Sequence, residues 1–356
     1  MVWTVFRSVF VLCCLFGTIT APAEAHVKWF LTSSEADLLR QPKPELFASP
    51  SIWNIVPLCL WLAAVVVTTI YGREWAKARL NRMLISFAEK KEAYINLFIR
   101  LCAGISLIHS AALSQLFAPN FEICAHCPQW LPLAEFTVGY ALMLGLGTRI
   151  ASLGFLYLLA FTFLKHPVAD CLDLIPLYGV AIYCFISGAD RFSLDSLISG
   201  KQASNLFTQN LAHLAIRWGL GLGLIVLSLD EKLLHPQLAL NILQKVPELN
   251  FMHSLYFGND LFVLCAGLAE LAFGLMLLVG SFPRLATLLL AATMFATTTL
   301  FGSSEFFGHA PYYGIALSIL LRGGGSSYLV ESLKRRLSVI TVRTQRISVE
   351  LVSQKL

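Results

Sequence analysis

Apolar residues in this chain form long runs that are separated by short polar segments. A run of about 20 apolar residues is long enough to cross the hydrocarbon core of a bilayer as an α-helix. The pattern predicts spans near residues 52–71, 94–117, 130–146, 150–164, 174–187, 211–229, 260–280, 285–301 and 312–321. We therefore expect an all-α, polytopic helical membrane protein with about nine mature transmembrane helices.

Part of this pattern occurs twice. Residues 133–153 (LAEFTVGYALMLGLGTRIASL) and 268–288 (LAELAFGLMLLVGSFPRLATL) match at 9 of 21 positions when they are shifted by 135 residues. Upstream, residues 99–119 align with residues 216–236 at an offset of 117. An internal repeat of this kind predicts two copies of one unit. We expect two parallel four-helix repeats, residues 94–190 and 211–323, because an even number of spans returns each copy to the same side of the membrane.

Composition agrees with a membrane protein. The chain is 57% hydrophobic and 13% charged, with a mean hydropathy of +0.70. Soluble domains carry about 25% charged residues. The net charge of +5 is modest and gives no indication of a nucleic-acid partner, so the partner that the composition predicts is the lipid bilayer.

The N-terminus resembles a secretory signal peptide, residues 1–25. Arg7 precedes an apolar stretch at 8–20, and Ala23-Glu24-Ala25 fits a small-x-small cleavage site. Cleavage would make His26 the new terminus of a polar extracytoplasmic segment, residues 26–51. The alternative interpretation is an uncleaved first transmembrane helix.

Positive charge sets the expected orientation. Of the 26 Lys and Arg residues, 19 fall on the cytoplasmic side of the nine-span topology and six on the outside, with Arg7 in the signal. This bias follows the positive-inside rule. We expect a multi-pass protein of the bacterial cytoplasmic (inner) membrane, with its N-terminus outside and its C-terminus in the cytoplasm. An extra span with a basic linker (52–93), a linker at 191–210 and a basic tail (324–356) flank the repeats.

Two carboxylates, Glu135 and Glu270, fall inside predicted spans, where a charge is costly without a partner. Glu270 lies 14 residues from Arg284, and Lys232 lies 15 from Arg217. At 1.5 Å per residue both sit about 21–22 Å from the cytoplasmic face, which predicts a structural ion pair. In the first copy Gln115 replaces Lys232. We expect Glu135 to face this amide and to favour its protonated form, which makes it a candidate proton-handling residue.

The most distinctive local motif is Cys124-Ala125-His126-Cys127, on the expected outer side. Cys124 and Cys127 are candidates for a redox-active pair, a structural disulfide or metal ligands. If the following span extends back to Cys124, that thiol shares a helix face with Glu135. Six of the eight histidines are also expected outside, in loops, including His309. Among them His26 and His126 are candidate copper ligands.

The two units resemble the DoxX-like membrane family, whose members are four-helix units. The features that carry this resemblance are Arg217, the run at 229–233, the Glu-and-glycine segment at 268–278, and the turn at 280–284. The first copy keeps Glu135 and Arg149 but departs from the pattern at Ser114-Gln115. The resemblance implies a quinone- or sulfur-linked membrane redox role in some members.

These observations predict an accessory or subunit of a membrane redox system that acts on thiols, sulfur species or quinone at the extracytoplasmic face. Its protein partner would be a membrane or periplasmic protein, and its cofactor a quinone or copper. Metal handling through His26 and the outer histidines, and a purely structural membrane subunit, are the alternatives. Since no GxSxG, HExxH or phosphate-binding glycine loop is present, the sequence leaves open whether the protein is an enzyme.

Overall fold

The structure is a computed structural model that describes residues 79–123, 128, 130–188, 190–200, 206–252 and 258–323, with residues 35, 38–40 and 63. The predicted signal peptide and the tail at 324–356 lie outside the described residues, as does all but one residue of the predicted first span.

Helices account for nearly all of the regular structure. The first half contains α1 (Arg79–Lys90), α2 (Glu92–Ala112), α3 (Trp130–Leu144), α4 (Thr148–Thr162), α5 (Val168–Cys171), a 3-10 turn (Leu172–Leu174) and α6 (Ile175–Ser187). A short hairpin, β1 (Gln115–Leu116) and β2 (Ala118–Glu122), follows α2. The second half contains α7 (Leu194–Ser199), α8 (Leu206–Ser228) with a π-helical extension (Leu229–Leu234), α9 (Pro236–Lys245), a 3-10 turn (Pro247–Leu249), α10 (Asn259–Val279), α11 (Pro283–Phe301) and α12 (Ser303–Arg322).

The prediction of an all-α, polytopic membrane protein is confirmed. Among the described residues, five helical segments are long and apolar enough to cross a membrane, and α3 and α4 are shorter apolar helices. The total of nine spans stays a prediction, because the span at 52–71 lies outside the described residues.

Eight helices pack as a closed ring. Within each half, consecutive long helices are neighbours, in the orders α2–α3–α4–α6 and α8–α10–α11–α12. The halves meet twice, where α6 packs along α8 and where α12 packs along α2. The largest buried apolar cluster therefore runs through both halves, with Ile99, Leu107, Ile216, Leu220 and Ile319 among its members.

Glycines set the closest helix contacts. A methyl group placed on Gly104 of α2 would lie 2.5 Å from the Gly139 carbonyl oxygen of α3. A methyl group on Gly221 of α8 would lie 2.9 Å from the Gly274 carbonyl oxygen of α10. Small residues allow helix backbones to approach closely in lipid, so both contacts depend on the missing side chains.

Two predicted boundaries are wrong. The span predicted to reach Phe117 ends at Ala112, because Ser114 (φ 56°) and Phe117 (φ 70°) adopt left-handed conformations that turn the chain into the hairpin. The last span was predicted to start after Pro311, but α12 begins at Ser303 and includes this proline. Proline removes one helical hydrogen bond, and membrane helices tolerate this loss where neighbouring groups compensate.

The ring has two chemically different ends. We call the end at which α2 and α8 begin the basic end, because Arg100, Arg217 and Arg322 lie near it, and the opposite end the hairpin end. At the hairpin end, Arg40 of the N-terminal segment bridges the two halves. Its Nη2 lies 2.7 Å from Asp170 Oδ1 and 3.3 Å from Asp230 Oδ2. Arg40 thus links α5 of the first half to the π-helical extension of α8 in the second half.

Candidate functional site

Lys232 and Glu270, which the sequence predicts to pair, lie in contact. Lys232 Nζ is 2.8 Å from Glu270 Oε2. Lys232 belongs to the π-helical extension of α8, a type of irregularity that is frequent at functional sites. Gly267 lets this widened turn approach α10, because a methyl group there would lie 3.0 Å from Lys232 Cβ. Ser228 Oγ also donates a hydrogen bond to the Gly267 carbonyl oxygen at 2.8 Å, which fixes the contact.

A cavity of about 180 Å³ lies beside this ion pair. Its apolar wall comes from α6, α8 and α11, and consists of Pro176, Leu220, Leu224, Leu227, Leu290 and Met294. The polar groups on its wall are Glu231, Lys232, Glu270, Thr293, Thr297, His309 and Tyr312. A mostly apolar cavity with a few convergent polar groups is the usual form of a small-molecule site.

A further carboxyl, that of Glu305, is linked to the cavity through His309. His309 Nδ1 lies 2.8 Å from Glu305 Oε1, one helical turn earlier in α12, and Glu305 is fully buried. The expectation that His309 is a loop residue is wrong, because α12 starts nine residues before the predicted span. The early start carries Glu305 and His309 into the helix bundle, where a carboxylate–imidazole pair can pass a proton towards the cavity.

Glu135 of the first half is fully buried in α3, but Gln115 is not its hydrogen-bond partner. Its Oε1 accepts a hydrogen bond from Ser110 Oγ at 2.7 Å and another from the Phe117 backbone N–H at 2.9 Å. The difference arises because α2 ends at Ala112, so the hairpin replaces the π-helical turn of the second half. Its role in proton handling stays a prediction.

Cys124, His126 and Cys127 lie outside the described residues, as does His26. The proposed extension of α3 back to Cys124 is wrong. Pro128 is not helical, and α3 begins at Trp130. The condition for a face shared by Cys124 and Glu135 is therefore not met.

Cysteine and metal chemistry receive little support from the described part of the chain. Cys171, the nearest other cysteine expected on the outer side, is a free thiol and is buried. No group of three His, Cys, Asp or Glu side chains in the described ranges is arranged to hold a metal ion. The copper hypothesis stays a prediction on His26 and His126.

The sequence analysis missed a buried polar network at the basic end, where α2, α8 and α12 meet. His213 Nε2 lies 2.6 Å from Glu92 Oε1, and His213 Nδ1 lies 2.7 Å from Ser318 Oγ. Arg322 Nη1 lies 3.1 Å from Glu92 Oε2. Arrangements of Ser, His and Glu also occur in hydrolases, but Ser318 and His213 are fully buried, so this network joins the two halves.

Arg100, in the first half of the chain, also lies near the basic end. Its Nη2 donates to the Phe192 carbonyl oxygen at 2.9 Å and lies 3.6 Å from Asp190 Oδ1. Burial raises the pKa of Asp190, and the neighbouring guanidinium opposes that rise. This loop therefore supplies the counter-charge that a buried arginine needs.

One known protein family matches part of the chain. The model of the DoxX family matches residues 212–303, which include most of α8 and all of α10 and α11. The match includes the Lys232–Glu270 pair and most of the cavity wall, but not Glu305, His309 or Tyr312. No curated protein and no solved structure matches the chain.

Proposed function

We propose that this DoxX-like membrane protein serves a redox system of the bacterial cytoplasmic membrane. The premise is the match of residues 212–303 to the DoxX family. In this proposal it is an accessory or subunit, and the cavity of its second half binds the head group of a quinone. The observation that carries the proposal is the cavity of about 180 Å³ with Lys232, Glu270 and His309 on its wall.

The chemistry of the cavity wall favours a quinone. Leucines, Pro176 and Met294 suit an apolar ring that arrives from the bilayer. Lys232 and His309 carry N–H groups that can donate hydrogen bonds to the two ring carbonyl oxygens. An engineered cavity of about 150 Å³ accepts benzene, so a cavity of about 180 Å³ has room for one ring.

The reaction also needs protons. Reduction of a quinone to a quinol consumes two electrons and two protons, and oxidation of two thiols to a disulfide releases the same number of each. We propose Cys124 and Cys127 as the thiol pair. The Glu305–His309 pair and Glu270 would deliver protons to the ring oxygens, while Glu135 would handle protons in the first half.

We further infer that residues 94–190 and 211–323 are two copies of one unit. Two sets of contacts support this inference. The Gly104–Gly139 contact of the first half has a counterpart in the Gly221–Gly274 contact of the second half. Gly104 aligns with Gly221 at the offset of 117, and Gly139 aligns with Gly274 at the offset of 135. In addition, Gly188 packs against the Arg149 guanidinium as Gly323 packs against that of Arg284. The first unit lacks the lysine, so only the second is proposed to bind quinone.

Quinone binding by the purified full-length protein tests the function. We expect the wild type to bind a short-chain quinone and the cavity-filling variant Thr297→Leu to bind it at least about tenfold more weakly, as loss of one good contact predicts. Gln115→Met, at the position in the first half that aligns with Lys232, should bind normally. A wild-type protein that binds no quinone would contradict the proposal.

The electron donor is tested separately by alkylation of Cys124 and Cys127 before and after quinone is added. A redox pair should shift from reduced to oxidised. If the quinone binds but the two cysteines are oxidised under all conditions, the thiol pair is not the donor.

A further inference from the structure

The two arginines that the sequence repeat aligns, Arg100 and Arg217, have different surroundings. Both side chains are buried, at 0% and 1% exposure. Arg100 binds the loop that follows α6, through the Phe192 carbonyl oxygen and the Asp190 carboxylate. The chain itself therefore neutralises the first guanidinium.

Arg217 has no such neutralisation in the described part of the chain. Its Nε and Nη1 are buried and make no hydrogen bond there, and no carboxylate lies within ion-pair distance. Removing an arginine charge from water without a counter-charge is strongly unfavourable. A buried, unsatisfied guanidinium is thus a strong indication that something binds it.

The sequence gives a reason for this difference. At the offset of 135, the position that corresponds to Asp190 is Gly325, and the one that corresponds to Asp195 is Val330. Asp195 accepts hydrogen bonds from the Gly147 and Thr148 backbone N–H groups at the start of α4. The start of α11 has no side-chain cap and no acidic residue in its first turn. The second half therefore has no carboxylate at the positions that correspond to Asp190 and Asp195.

The position of Arg217 indicates the source of a replacement anion. Arg217 lies near the basic end, and the next residue, Trp218, is 49% exposed on the outer surface of the ring. Tryptophan is enriched at the level of the lipid head groups. The quinone cavity begins at Leu220 and extends towards the hairpin end, so the two sites are separate.

We propose that Arg217 binds a phosphate group, which takes the place that Asp190 occupies beside Arg100. The guanidinium has N–H donors in a fixed plane that match phosphate oxygens. The phosphate of an anionic phospholipid and free inorganic phosphate share this chemistry. This inference does not depend on the proposed redox function.

Native mass spectrometry of the full-length protein in mild detergent tests the proposal. The probes are phosphatidylglycerol and a diacylglycerol with the same acyl chains, which differ only in the phosphate-containing head group. We expect the wild type to retain phosphatidylglycerol in preference, and Arg217→Gln to retain it about 10–100-fold more weakly, the range for a charged hydrogen bond. Arg217→Lys, which keeps the charge but loses the planar donor set, should lie between them.

Arg100→Gln is the matched control and should retain the lipid like the wild type, because its guanidinium binds the protein. Displacement of the lipid by inorganic phosphate would support the phosphate site and identify free phosphate as a second ligand. Equal retention of phosphatidylglycerol by the wild type and Arg217→Gln would overturn the proposal. If the variants do not fold, equal retention of the two lipids by the wild type would overturn it as well.

Discussion

Glu135 and Glu270, the carboxylates of two predicted spans, are stabilised differently in the two halves of this protein. Glu270 faces the Lys232 ammonium at 2.8 Å, whereas Glu135 accepts hydrogen bonds from two neutral donors. An ion pair loses its stabilisation when either charge is removed, because the remaining charge is left in a low-dielectric environment. A hydrogen-bonded carboxyl can instead take up a proton and stay neutral.

Lys232→Met should therefore lower the melting temperature substantially, since breaking one partner of a buried pair costs about 3–5 kcal/mol. Thermal unfolding in detergent measures this effect. Gln115→Met, at the aligned position, should change stability by less than about 1 kcal/mol, as is usual away from buried networks. The double variant Lys232→Met with Glu270→Met should regain most of the loss. Equal melting temperatures for the two single variants would show that the pair does not stabilise the fold.

Among the features of the fold, the helices were predicted best from the sequence. Apolar runs predicted every long helix of the described ring, and the helical rise alone placed Lys232 and Glu270 at one depth. The hairpin was missed, since it depends on left-handed backbone at Ser114 and Phe117, residues that rarely adopt it. The Glu305–His309 pair was missed because the last span was predicted only from residue 312, whereas α12 begins at Ser303.

The glycine contacts give a prediction at this scale. Gly104→Ala and Gly221→Ala should each destabilise the protein by about 1–3 kcal/mol, because the added methyl group forces the packed backbones apart. Gly258→Ala is the control, since no atom lies within 4 Å of a methyl group placed there. Thermal unfolding compares the three variants. If Gly258→Ala proves as destabilising as the other two, close helix packing is not the cause.

The whole molecule is a ring whose two ends differ in charge, and this difference predicts its orientation. A reporter fused after Leu356 should be cytoplasmic, and one inserted near Asn120, in the hairpin, should be extracytoplasmic. Mass spectrometry of the purified chain should find His26 as its first residue. A cytoplasmic signal at Asn120 would reverse the assigned orientation, and an intact Met1 would remove the N-terminal copper hypothesis.

The contact between α2 and α12, which closes the ring, joins residues that are synthesised at very different times. Glu92 leaves the ribosome early, but its partner Arg322 is synthesised 230 residues later, and His213 lies between them in the sequence. Until the final helix inserts, Glu92 and His213 lack Arg322 and Ser318 within the bilayer. We therefore expect a chain interrupted before α12 to expose these polar side chains and to be degraded faster than the full-length protein, which a pulse-chase comparison of the two would measure.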